Sequence, residues 1–114
     1  MLEVDRERFE ELVGLALDEI PDALWDRMDN VVVTVVDRPP EPGLLGLYEG
    51  IPLTERDGGY HGVAPDKISI YRSSLLDFCE DEDEIVEQVR ITVIHEVAHH
   101  FGIDDDRLDE LGWA

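Results

Sequence analysis

One cysteine, Cys79, stands among 114 residues. It excludes an internal disulfide and makes a reducing, cytoplasmic setting the expectation. Set beside Leu75, Leu76 and Phe78, that cysteine reads as core rather than as a nucleophile. No stretch approaches the roughly 20 apolar residues of a membrane span, and the opening MLEVDRERFEELV is charged and amphipathic, unlike a signal peptide. Cations are scarce: 9 Lys and Arg face 29 Asp and Glu, a formal net charge of −20. Nucleic acid and anionic membranes are therefore excluded as expected partners, because both would be repelled. Metal ions and basic peptides would be attracted, although a solvated acidic surface explains the same charge without any partner. Both methionines, Met1 and Met28, lie early in the chain. With 43% hydrophobic residues, the length suits one core and one domain, residues 1–114.

Apolar periodicity organises the rest. Phe9, Leu12, Val13, Ala16, Leu17 and Ile20 recur at helical spacing over residues 5–20. After Pro21 a short helix is expected over 22–28, with Leu24, Trp25 and Met28 inward. Residues 31–36 are β-branched throughout and predict a central strand covered on both faces. Residues 44–48 form a weaker, glycine-interrupted run of the kind found at a sheet edge. Residues 67–71 alternate polar and apolar, which predicts a half-buried strand. Ser73 and Ser74 are candidate caps of a short helix through Phe78. The acidic run 80–84 lacks the glycine and spacing of a calcium loop, while Asp81 with Glu84 makes a capping-box pattern. A long helix is expected over 83–101. Val86, Val89, Val93 and Val97 mark its buried face, widened by Ile85, Ile94 and Phe101. Residues 106–111 predict a last helix, with Leu108 and Leu111 inward and Gly112 as its stop. The fold class is α+β: a small twisted sheet of about three strands packed against N-terminal helices and a long C-terminal helix.

That long helix carries the chemistry. It contains His95-Glu96-Val97-Ala98-His99, continued by His100-Phe101-Gly102-Ile103-Asp104-Asp105. Two histidines four apart lie one turn apart on one face, so their imidazoles can share an ion. Glu96 projects beside that ion, where a carboxylate can act as general base toward water. Gly102 falls three residues past His99, where a helix can stop and the chain turn back. Asp105, ten past His95, occupies the slot of a third ligand in H-E-x-x-H-x-x-G-x-x-H, and aspartate is a competent zinc ligand. Asp104, Asp105 and Asp106 are consecutive; one of them is expected to cap the final helix, and Asp104 is the reserve ligand. His100 points about 100° away from His99 around the helix and is expected either to hydrogen-bond structurally or to support the ligands from behind.

These residues resemble the zincin metallopeptidases, and most closely the small bacterial proteins of minimal zincin fold. HEVAHHFGIDDDRLDELG, residues 95–112, carries the likeness; LLGLYEGIPLTER, residues 44–56, is a secondary match. The resemblance implies Zn²⁺ held by His95, His99 and Asp105, with Glu96 as base. Nine residues follow Asp105 and no methionine follows the motif. Neither a subdomain walling the lower side of a cleft nor a Met-turn beneath the metal is therefore expected. The implied activity is hydrolysis of a peptide or protein substrate, and strand addition onto residues 44–48 is a way to hold it. His61, Tyr48, Tyr60 and Tyr71 are candidates for stabilising the oxyanion. The alternatives are a metal-binding interaction module without turnover, and an acidic protein that binds a basic partner.

Overall fold

The computed structural model describes residues 2–28, 30–50 and 65–113. Among them run helices α1 (Arg6–Asp18) and α2 (Asp22–Arg27), and strands β1 (Val31–Val36), β2 (Gly46–Glu49) and β3 (Asp66–Tyr71). Helices α3 (Arg72–Phe78), α4 (Glu82–His100) and α5 (Asp105–Leu111) follow. The strands form one mixed sheet in the order β1-β3-β2. β1 pairs parallel with β3, and β2 pairs antiparallel with it. No helix among the described residues is long and apolar enough to cross a membrane.

Two strand positions differ from expectation. β3 is central: Ile68, Ser69, Ile70 and Tyr71 are all buried. β1, expected in the centre, pairs only with β3 among the described residues, and Val32 and Val36 are 43% and 36% exposed. An apolar run on both faces signals two covered faces, yet only the face bearing Val31, Val33 and Val35 packs against the core. β3 conceals its burial because small Ser69 and amphipathic Tyr71 fit inside while reading as polar.

Helices cover one face of the sheet. Ile68 and Ile70 meet Phe9, Leu12, Val13 and Ala16 of α1 and Ile85, Val89, Val93, Ile94 and Val97 of α4 in one buried cluster. α4 contacts α1, β2 and β3 and is the hub of that cluster. Expected inward residues Leu24 and Met28 are buried, whereas Trp25 and Phe101 are exposed. Trp25 satisfies its indole N–H on the Leu17 carbonyl at 3.2 Å instead. Neither serine caps α3. That helix begins directly at the end of β3, with no side-chain cap, and the Ser73 amide donates to the Asp37 carbonyl at 2.9 Å.

The ends of α4 follow the sequence closely. Asp81 accepts from the Glu84 amide at 2.8 Å. The Glu84 carboxylate reaches back to the Glu80 amide at 3.2 Å, one residue before the cap. At the other end Gly102 takes φ +77°. The Ile103 amide donates to the Ala98 carbonyl at 2.8 Å and the Gly102 amide to the His99 carbonyl at 3.1 Å. That is a Schellman turn, which needs a left-handed residue and favours glycine there. It reverses the chain and delivers α5 beside the last turns of α4.

Candidate metal centre

His95, Glu96, His99 and His100 occupy the last two turns of α4. The imidazole centroids of His95 and His99 are 5.9 Å apart, inclined at 42°. The chain reversal at Gly102 brings Asp105, the first residue of α5, back to His99: Oδ1 lies 3.1 Å from Nε2. Asp104 is the N-cap of α5 and accepts from the Arg107 amide at 2.9 Å. Its carboxylate is thus spent on backbone, and Asp105 is the aspartate that meets His99.

The donors suit zinc in chemistry and in pairwise spacing. A ring centroid stands about 3 Å from an ion bound at about 2.0–2.1 Å, so two imidazoles sharing one ion lie about 5–6 Å apart. The observed separation of the two rings, 5.9 Å, meets that condition. Tetrahedral ligands at those bond lengths are about 3.3 Å from one another, near the 3.1 Å between His99 and Asp105. Among the described residues, no three such side chains already converge on a single point. His99 and Asp105 are both well exposed, so the centre would open to solvent on that side.

Glu96 turns toward the sheet. Its Oε1 accepts from the backbone amide of Tyr48 in β2 at 3.0 Å. The pairing register explains why that amide is available. Tyr71 donates to the Leu45 carbonyl at 3.0 Å, so Leu45 belongs to the residues that exchange backbone bonds with β3. In an antiparallel ladder the role alternates. Gly46 and Tyr48, opposite Ile70 and Ile68, therefore direct their N–H and C=O away from β3. Gly46 lets the strand come this close. A Cβ there would lie 2.6 Å from Cγ2 of Thr92, one turn before Glu96 on α4.

Tyr48 is fixed on two further sides. Its hydroxyl donates to Oδ2 of Asp66 at 2.7 Å, and its ring stacks on His100 with centroids 4.0 Å apart. Nε2 of His100 is 3.9 Å from the same Asp66 oxygen, and Asp66 is only 16% exposed at its side chain. His100 thus braces the strand instead of joining His95 and His99, as its helical phase dictates. Tyr71 is buried on the sheet face opposite Ile68 and Ile70, outside the main core cluster. Tyr60 and His61 lie outside the described residues. Sequence reasoning missed Asp66 and the Tyr48 amide. Asp66 is an ordinary acid at a loop–strand boundary, and a backbone donor has no residue type to betray it.

A conserved hypothetical protein from Thermus thermophilus is similar in structure. The match has 27% identity, covers 86% of this chain and 94% of that one, and has a TM-score of 0.57. No curated protein matches the chain significantly. A family model described as zincin-like metallopeptidase matches residues 18–113, a span that includes every motif residue, and the chain belongs to that family.

Proposed function

We propose that this chain is a zinc-dependent peptidase in which Glu96 is the general base. His95, His99 and Asp105 would hold the ion, on the donor chemistry and spacings given above. Zinc in that position supplies Lewis acidity, polarising a carbonyl and acidifying water. Glu96 takes a proton from the attacking water on its carboxylate. It then returns that proton to the amine nitrogen as the C–N bond breaks. An extended peptide would lie along β2 at Tyr48, whose backbone N–H points away from β3. The brace of Asp66 and His100 on Tyr48 keeps that edge in place, which matters because small misplacements of a reacting carbonyl are costly in rate.

The observation that carries this proposal is the position of Glu96. Its carboxylate stands between the histidine-bearing turns of α4 and the edge of β2, 3.0 Å from the Tyr48 amide. The base and the peptide-holding edge therefore adjoin. Zinc-loaded protein assayed against a peptide library should show cleavage, and Glu96→Gln should lower kcat by roughly 10² to 10⁴ with bound metal unchanged. Full cleavage by Glu96→Gln would assign the activity elsewhere. One feature favours a second reading, a metal-binding module without turnover: the Glu96 carboxylate is already engaged by backbone. Absence of cleavage of any library member by the zinc-loaded protein would support that module.

A further inference from the structure

The amide that holds Glu96 is also one that an added strand needs. Tyr48 faces away from β3 by register, and its N–H points out of the sheet edge. In strand addition such an outward N–H donates to a carbonyl of the incoming peptide. In the free protein that N–H is already donated to Oε1 of Glu96. A single N–H does not serve both acceptors at full strength. The strand itself is not the partner that yields. It is paired to β3, stacked on His100 and bonded to Asp66 through the Tyr48 hydroxyl. Glu96 is attached only through its own flexible side chain.

We propose that an extended peptide and Glu96 compete for the backbone N–H of Tyr48, so that strand addition onto β2 displaces the carboxylate and frees it for proton transfer. This rests on the reading of β2 as the peptide-holding edge and Glu96 as the base. It gives the contact two uses. In the free protein Glu96 takes up an outward-pointing donor on a strand that, among the described residues, pairs on one side only, a position that otherwise invites pairing with other chains. With peptide bound, the carboxylate is released beside His95 and His99. The ligand class is an extended backbone with a carbonyl opposite Tyr48. Cationic side chains would help it approach a chain of net charge −20.

The test measures binding without turnover. The probe is acetyl-Lys-Val-Lys-Val-Lys-amide, titrated into chelated, ¹⁵N-labelled protein, with affinity and the Tyr48 amide resonance followed together. Removing the competitor in Glu96→Ala should tighten binding about tenfold, the scale of a hydrogen bond to a charged acceptor. Glu96→Gln, which keeps a weaker neutral acceptor, should fall between Glu96→Ala and wild type. The Tyr48 resonance should shift saturably with peptide in all three proteins. Equal or weaker binding by Glu96→Ala, binding that leaves the Tyr48 resonance unmoved, or no binding to any of the three would overturn the proposal. Competition in a protein that cleaves nothing when zinc-loaded would sustain it and remove the peptidase reading. Cleavage without competition would do the reverse.

Discussion

Replacing Gly46 with alanine should destabilise the fold through one identifiable collision. The new Cβ would sit 2.6 Å from Cγ2 of Thr92 and 3.1 Å from the Ser69 carbonyl oxygen. Both are inside ordinary carbon contact distances of about 3.5–4.0 Å. The Ser69 oxygen belongs to the central strand and has little room to retreat; Thr92 must turn its methyl or β2 must lift from α4. Overpacking of this kind costs about 1–3 kcal/mol. At about 4 °C per kcal/mol for a domain of this size, Tm should fall by about 4–12 °C. Thermal and urea unfolding of four proteins would measure it: wild type, Gly46→Ala, Thr92→Ser and the double variant. Thr92→Ser deletes the colliding methyl, so the double variant should recover part of the loss, with a coupling of about 1 kcal/mol. The contact with Ser69 stays and prevents full recovery. Additive effects, or a neutral Gly46→Ala, would refute the claim that β2 and α4 meet at this glycine.

Other expectations concern the cap, the cysteine and the metal. Asp81→Ala removes the cap of α4 and should cost about 1 kcal/mol in urea unfolding. Burial, with help from Glu84 and Asp81, pushes the Cys79 thiol from 9.0 up to about 11. The folded chain then keeps a proton that the unfolded chain releases. Stability should accordingly fall as pH rises from 9.0 through about 11, by about 2–3 kcal/mol at most, and Cys79→Ala should lose that slope. Zinc at a hundredfold excess over its dissociation constant should add about 2.7 kcal/mol to stability. His95→Ala with His99→Ala should abolish that gain, and an unchanged gain would place the ion elsewhere.

The local parts of the candidate site are legible in the sequence. Histidines four apart, a glycine at the turn and an acid cap each act within a few residues of themselves, so spacing alone places them. The Asp104 to Asp106 run is different. All three can cap a helix and all three can bind metal, and only the turn at Gly102 decides that Asp104 caps while Asp105 meets His99. Strand order escapes the sequence for a related reason. Hydrophobicity reports how many faces of a strand suit an apolar setting, not how many neighbours it has. In the sheet that the described residues form, Val31 to Val36 reads as central and lies at an edge, while Lys67 to Tyr71 reads as half-exposed and lies in the middle. Phe78 stays about half exposed, and Phe101, the C-cap of α4, packs only edge-on against His100, so neither joins the core as apolarity alone suggests. The Tyr48–Glu96 contact joins residues 48 apart and is invisible to any local pattern.

The order in which the elements occur has a consequence for biosynthesis. The central strand is the last of the three to leave the ribosome, and its parallel partner β1 is made 35 residues earlier by register. α1 buries its apolar stripe against α4, near the other end of the sequence. An emerging chain thus carries an unpaired edge and a bare amphipathic helix until α4 is synthesised. Such long-range closures are slow compared with helix formation. Folding should therefore be late and all at once, triggered by the histidine-bearing helix and completed when α5 adds buried Leu108 to the core. Nascent fragments stopping before α4 should remain protease-sensitive, while those extending through α5 become resistant together.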